Sequence, residues 1–276
     1  MRNNLKAVTS KKTVALGAVM AAVAVGLGTM SQPAQATPSG LTYYPSTDVY
    51  GRGNFHFDSD TFLNQDDTSA GAFGTSIGLS VGTGPDRDGL FGRSEVGIDY
   101  LTSGNDISVG KRFQANAKTQ LFNSDEAQIR VVAGIWGLGS REAYSPNIAY
   151  VLASKNFPRI GRFHAGVARS FQKERIVGDD RTNLQLGYDR VFANGKLQFT
   201  LDYMTGDTTY GALAPGLIYY INDKAGVQVG YVRPNEKRIF GNDLIYLAFD
   251  YNFGGGRTEG APAPPPETST QAPANQ

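Results

Sequence analysis

The chain of 276 residues contains no cysteine. A lipidated cysteine anchor, a disulfide framework and a thiolate metal site are therefore excluded. Histidine is nearly absent as well, since only His56 and His164 occur. His56 with Asp58 and Asp60 is the one cluster with metal-ligand chemistry, but polar residues at alternating positions are common in strands, so we expect no cofactor and no bound metal.

Long apolar runs are missing after the first residues of the chain. No later stretch approaches the roughly 18 apolar residues that a membrane-spanning helix needs. The formal net charge of +1 gives no electrostatic argument for nucleic acid, which we do not expect as a partner. What the chain has instead is 34 glycines and 11 % aromatic residues at a mean hydropathy of −0.30, a mixture typical of strands with one apolar and one polar face.

Both ends of the chain differ from its body. Basic residues precede an apolar run from Thr13 to Gly28, and Ala34-Gln35-Ala36 then offers a small-x-small cleavage site. This pattern predicts a secretory signal peptide over residues 1–36. Residues 254–276 are rich in Gly, Pro and Ala without periodicity, which predicts a disordered tail. Residues 37–253 are left as one domain.

The stretch from Asp243 to Phe253 carries the clearest structural pattern. Every second residue is apolar or aromatic, while the positions between them include Asp250 and Asn252. A period of two indicates a strand, because successive side chains leave a pleated strand on opposite faces. The apolar face consists of Ile245, Leu247, Phe249, Tyr251 and Phe253.

This stretch resembles the closing strand of bacterial outer-membrane β-barrel proteins, which ends in Phe with an aromatic residue two positions earlier. The resemblance implies that Tyr251 and Phe253 form the signal read by the barrel-assembly machinery. It also implies location in the bacterial outer membrane, in contact with its lipids. The chain departs from the family pattern because residues 254–276 follow the closing Phe, which is commonly the last residue.

Similar alternation continues through the body and predicts an all-β fold, an antiparallel up-and-down transmembrane β-barrel of about twelve strands, with ten or fourteen as alternatives. The first strand is predicted from Val49 to Asp58, followed by a loop at Ser59–Ala70. Two strands, near Asn147–Lys155 and Tyr210–Ile221, are apolar on both faces. A secreted β-sandwich or lectin-like domain is the alternative architecture, but its charges would lie outside rather than within.

Charged and polar side chains share the inward phase of these strands and are predicted to line a pore. Twelve strands leave room for a narrow channel, and no external loop is long enough to form a folded plug. The predicted pore-lining residues are Arg52, His56, Arg93, Glu95, Asp99, Arg112, Lys118, Arg130, Arg162, His164, Asp189, Lys196, Asp202 and Asp250.

The order of the strands predicts how these charges face one another. Arginines from the early strands (Arg52, Arg93, Arg112 and Arg130) should share one wall. Asp189, Asp202 and Asp250 should face them across the interior. The sequence thus favours an outer-membrane porin-like channel for passive diffusion of small polar solutes. The alternative is a structural or surface-interaction barrel whose lumen is closed by salt bridges, and assembly into a homo-oligomer stays an open alternative.

A catalytic barrel is not supported by the residues around the histidines. Barrels of the phospholipase and deacylase type place a serine two residues after the histidine, whereas this chain has Asp58 and Gly166 at those positions. Asp179 and Asp180 look like a solvated turn. Because nucleophile, base and orienting group cannot be assembled, we predict that the protein is not an enzyme and that both histidines form hydrogen bonds in the lumen.

Overall fold

The computed structural model describes residues 39–64, 73–102, 108–140, 145–171, 180–208, 210–237 and 242–254. The predicted signal peptide lies outside these ranges, as does the predicted tail after Gly254. Among the residues described, no helix is long and apolar enough to cross a membrane.

Twelve strands within these ranges form a single closed antiparallel barrel. Each strand pairs with its neighbours in the chain, and β1 pairs with β12 to close the wall, so the predicted architecture and strand number are confirmed. The strands are β1 Phe55–Asn64, β2 Phe73–Thr83, β3 Ser94–Leu101, β4 Phe113–Ser124, β5 Ile129–Gly139, β6 Ile148–Phe157, β7 Gly161–Ser170, β8 Thr182–Phe192, β9 Leu197–Met204, β10 Ala212–Tyr220, β11 Ala225–Pro234 and β12 Leu244–Phe253. A two-residue strand, Gly89–Leu90, pairs with β4, and a 3-10 turn spans Val109–Lys111.

The two ends of the barrel are built differently. The chain enters β1 and leaves β12 at the same end, where short turns such as residues 193–196 join the strands. Ala193, Asn194 and Gly195 all have positive φ, which suits the tight hairpin predicted from Asn-Gly. We call this the turn end and the opposite end, where the longer connections lie, the loop end.

The outer surface of the barrel is an apolar belt. Many large side chains on the outward phase are 37–53 % exposed, among them Val151, Phe163 and Leu184. Water-soluble proteins rarely expose apolar surface this continuously, whereas a membrane barrel turns such a surface toward the lipid chains. Closure of the barrel also satisfies every backbone hydrogen bond of the wall, as a lipid environment requires. The chain is therefore a transmembrane β-barrel of the outer-membrane type, and a sandwich with its apolar faces hidden is excluded.

The start of the first strand differs from the prediction. β1 begins at Phe55 rather than Val49 and continues to Asn64, through residues predicted to form a loop. Gly53 has a φ of 77°, and this turn interrupts the alternation that the sequence carries across it. After Asp58 the pattern inverts, because Phe62 is buried on the inward face. Val49 belongs to a segment inside the barrel.

Candidate functional site

Residues 39–50 fold into the barrel lumen as a hairpin, which we call the luminal hairpin. All of these residues except Gly40 are buried. The two arms are joined by a bridge between Gly40 and Pro45 and by the Ser46 N–H, which donates to the Ser39 carbonyl at 3.0 Å. The Leu41 N–H donates to the Tyr44 carbonyl at 2.9 Å, so the chain reverses direction at Thr42 and Tyr43. Both arms therefore run back toward the turn end.

One carboxylate of the wall holds the tip of the luminal hairpin. Oδ2 of Asp202 accepts the backbone N–H groups of Thr42, Tyr43 and Tyr44 at 3.2, 2.8 and 2.9 Å. The Thr42 hydroxyl also lies 2.6 Å from the hydroxyl of Thr200 on the same strand. Three consecutive donors on one charged acceptor fix the tip against β9.

A buried ion pair joins the two arms to the opposite wall. Glu95 accepts the N–H of Ser39 at 3.1 Å and the N–H of Tyr50 at 3.0 Å, one from each arm. Lys118 lies 3.3 Å from Glu95 and donates to the carbonyls of Ser39 and Ser46 at 2.8 and 3.2 Å. Strands β3 and β4 thus supply both a donor and an acceptor for the hairpin backbone.

The hairpin contributes one carboxylate of its own to the wall. Both terminal nitrogens of Arg162 donate to the Asp48 carboxylate, at 2.5 and 2.7 Å, and Arg130 donates to the same carboxylate at 3.2 Å. The same guanidinium reaches Asp189 at 2.8 Å, which in turn lies 2.8 Å from Nε2 of His164. Two-pronged pairing of this kind gives geometric specificity as well as energy.

Aromatic side chains surround the tip of the hairpin. The rings of Tyr43 and Tyr44 lie edge-on to Trp136, with centroids 6.2 and 6.0 Å apart, and Tyr43 also packs on Phe62 at 5.7 Å. Trp136, Tyr43, Tyr44 and Tyr210 are each at most 2 % exposed. The lumen is an apolar core at this depth, which explains why β6 and β10 are apolar on both faces.

Glycines on the inward face of the wall make room for the hairpin. A methyl group at Gly216 would lie 2.2 Å from Oγ1 of Thr42, and one at Gly230 would lie 2.5 Å from its Cγ2. A methyl group at Gly187 would lie 2.5 Å from Cδ1 of Leu41. These distances are far below van der Waals contact, so the wall and the hairpin are complementary in shape.

We expect Gly216→Ala to loosen the luminal hairpin and to lower the free energy of unfolding by about 1–3 kcal/mol, the usual cost of overpacking a fitted interior. Gly226→Ala is the matched control, because a methyl group on that inward-facing glycine would meet its nearest neighbours at 3.6 Å and none in the hairpin. Denaturant unfolding in detergent micelles checks both variants. Equal stabilities would show that the hairpin does not press on β10.

The structure places most of the predicted pore-lining residues inside the barrel, where they contact the hairpin or other side chains of the wall. The inward, buried members are His56, Glu95, Asp99, Lys118, Arg162, His164, Asp189 and Asp202, with Asp250 half-buried beside His56. Arg93 and Arg130 line a cavity of about 220 Å³ at the turn end, where Arg93 pairs with Asp86. Arg112 lies before β4 at the loop end.

Two predicted positions and one predicted arrangement differ from the structure. Arg52 and Lys196 are exposed in turns, because β1 and β9 begin after them. The early arginines do not face Asp189 and Asp202 across water. The hairpin stands between the walls, so Asp202 binds its backbone and Asp189 pairs with Arg162.

The residues of the resemblance close the barrel wall. Phe253 ends β12, is 50 % exposed and lies opposite Phe55 in the register, while Tyr251 lies opposite Phe57. Both point away from the lumen. That the barrel-assembly machinery recognises Tyr251 and Phe253 stays a prediction.

Sequence reasoning missed the luminal hairpin itself. The sequence from Tyr44 to Val49 looks only like an approach to the predicted first strand, because a segment of this length shows no periodicity of its own. Two signals in the sequence pointed to it: glycines on the inward phase, where polar residues are otherwise found, and the inward-facing aromatic residue Trp136.

Comparison with known proteins gives likenesses of shape only. The sequence matches no family model and no curated protein. Among solved structures, the KdgM porin is 12 % identical and aligns over 72 % of this chain and 99 % of its own, with a TM-score of 0.46. The NanC porin is 10 % identical over 72 % of this chain and 100 % of its own, at 0.43. The Salmonella typhi outer-membrane phospholipase dimer with bound calcium is 14 % identical over 75 % and 92 %, at 0.42.

The assignment rests on the geometry of the chain rather than on these likenesses. A closed twelve-stranded antiparallel wall with a lipid-facing apolar belt and a polar interior is the architecture of porin-like barrels. The protein resides in the bacterial outer membrane, and the lipids of that membrane contact its outer surface.

Proposed function

We propose that this protein is a porin-like channel for passive diffusion of small polar solutes, and that the luminal hairpin closes it at rest. The observation that supports the proposal is how the hairpin is held. Its backbone docks on charged wall residues, chiefly Glu95, Lys118 and Asp202. Water can take over such hydrogen bonds when the hairpin leaves, and a twelve-stranded wall is wide enough to leave a hydrated passage.

A structural or surface-interaction barrel with a permanently closed lumen is the second candidate. The specific observation in its favour is the buried network of Asp48, Arg162 and Asp189 together with the aromatic cluster at the tip. Both features oppose withdrawal of the hairpin, because separating a buried ion pair leaves charge without compensation.

Two steps of maturation belong to the proposal. We infer that the chain is cleaved after Ala36, which would place the hairpin almost at the start of the mature chain. We also infer that the barrel-assembly machinery inserts the protein and recognises Tyr251 and Phe253. We also infer that the protein is not an enzyme. The contacts of its histidines support this, since Nε2 of His164 lies against Asp189 and Nδ1 of His56 lies against Oδ1 of Asn252, and neither contact supplies a nucleophile.

A reversible lock tests the channel. The hydroxyls of Thr47 and Ser154 lie 2.6 Å apart, so the pair Thr47→Cys and Ser154→Cys can form a disulfide between hairpin and wall. The chain has no other cysteine to interfere. In planar bilayers we expect the wild-type barrel to open in brief events, the oxidised double variant to stay closed, and reduction to restore the events.

The single variant Ser154→Cys is the control and should open under oxidising and reducing conditions alike. Inserted barrels, identified by heat-modifiable gel mobility, that never open in the wild-type or the reduced form would contradict the channel and favour the permanently closed barrel.

A further inference from the structure

A second cavity of about 100 Å³ opens at the turn end, between the luminal hairpin and the wall formed by β1, β10, β11 and β12. One water needs only about 10–15 Å³ of such space, so the cavity has room for a small ligand. Its lining includes Asp223 and Lys224, which are exposed in the turn between β10 and β11. A ligand can therefore enter without any movement of the hairpin.

The lining of this cavity is strongly acidic. Besides Asp48, which Arg162 neutralises, it contains Asp58, Asp60, Asp223 and Asp250, against Lys224 and His56. Asp58 and Asp250 lie directly opposite each other in the register of β1 and β12. Like charges in that position destabilise a pair of strands, so the arrangement is costly unless a cation or a proton offsets it.

Asp58 is the residue that points to a ligand. It is 3 % exposed and lines the cavity, yet neither carboxylate oxygen accepts a hydrogen bond. Nε2 of His56 is 3.8 Å from Asp58, beyond hydrogen-bond distance, and lies closer to Asp250 at 3.3 Å. Asp60 differs, because the Tyr246 hydroxyl donates to it at 2.7 Å. A buried carboxylate without a hydrogen-bond donor is strongly disfavoured. An ammonium group would supply three such donors together with the opposite charge.

The chemistry of the lining identifies the class of cation. Within the described ranges, no group of three or more His, Cys, Asp or Glu side chains is arranged to hold a metal ion. Aromatic rings adjoin the acids instead, since Tyr50 stacks on His56 with centroids 4.7 Å apart and Tyr246 also lines the cavity. Carboxylates bind an ammonium group, while ring faces accept an alkyl chain and its positive end.

We propose that this cavity binds a small organic cation, with a primary ammonium group between Asp58 and Asp250 and its alkyl chain against Tyr50 and Tyr246. Because the site is open at the turn end, binding does not depend on the channel opening. Cation binding can therefore be tested separately from conduction.

Isothermal titration calorimetry of the full-length barrel in detergent, with 1,4-diaminobutane as the probe, tests the site. We expect saturable binding to the wild type, and weakening by at least about tenfold in Asp58→Asn and in Asp250→Asn, because each loses a charge-assisted hydrogen bond. Asp125→Asn removes the same charge from an exposed turn at the same end and should bind like the wild type. Heat-modifiable mobility verifies that each variant is folded.

Three results would overturn the proposal. The first is the absence of saturable binding to the wild type, and the second is equal affinity for succinate, a dianion of the same length. The third is binding only after acetylation of the mature α-amino group. With cleavage after Ala36 that amino group would lie two residues before Ser39, which lines the same cavity. This result would mean that the amino terminus of the chain itself, rather than a separate ligand, occupies the cation site.

Discussion

A barrel in which a Gly/Ser chain of equal length replaces residues 39–50 will conduct ions steadily from the moment it inserts into a planar bilayer. The replacement removes the aromatic tip and the Asp48 carboxylate, which fill the lumen between the walls. The wall itself is unchanged, and the glycines that accommodate the hairpin would then face water. Side chains alone just fill an eight-stranded barrel, whereas twelve strands leave space.

The wild-type protein, recorded at the same voltage, is the control and should be closed except for brief events. Replacing the turn 193–196, in which every residue except Gly195 is exposed, by Gly/Ser is a second control, since it changes a turn at the end of the barrel. A folded, heat-modifiable replacement variant that carries no steady current would show that other parts of the chain close the barrel.

Arg162→Met will lower the free energy of unfolding by about 3–5 kcal/mol, because it leaves two buried carboxylates without their shared partner. Arg162 is 3 % exposed and forms four hydrogen bonds, two to Asp48 and two to Asp189. The loss should exceed that of any exposed charge at the turn end. Lys196→Met, which removes an exposed positive charge, should change stability by no more than about 0.5 kcal/mol.

Urea unfolding in lipid vesicles measures both variants, and a double variant separates the causes. Asp48→Asn combined with Arg162→Met removes one of the stranded carboxylates, so its loss should be smaller than the sum of the two single losses. Strictly additive losses would mean that Arg162 and Asp48 do not interact, which would contradict the docking of the hairpin.

The wall of the barrel could be predicted from sequence because its physics is local. Alternation such as that from Ile245 to Phe253 indicates which side chains contact lipid, and each strand shows this pattern within its own sequence. Strand boundaries were less predictable where the alternation crosses a turn, as at Gly53, or inverts, as at Phe62. The inward phase of Glu95, Lys118, Arg162 and Asp202 was likewise readable from their neighbours.

The partners of those charges were not readable, because they depend on contacts distant in sequence. Asp202 meets backbone groups of Tyr43 and Tyr44, which no side-chain pattern announces. The expectation of an open lumen considered only the external loops as possible plugs, whereas the segment that fills the lumen precedes β1. Glycine at position 216 and tryptophan at position 136 are explained only once that segment is in place.

Disulfide trapping of the tip, in native outer membranes, tests most directly whether the hairpin occupies the lumen. The hydroxyls of Thr42 and Thr200 lie 2.6 Å apart, so Thr42→Cys and Thr200→Cys should cross-link almost completely under mild oxidation, whereas Thr42→Cys with the outward-facing Phe199→Cys should not. Mass spectrometry of the digested protein counts the linked peptide. Near-complete linkage of the first pair alone is the predicted result. Two free thiols that react with a membrane-impermeant maleimide would contradict the closed lumen.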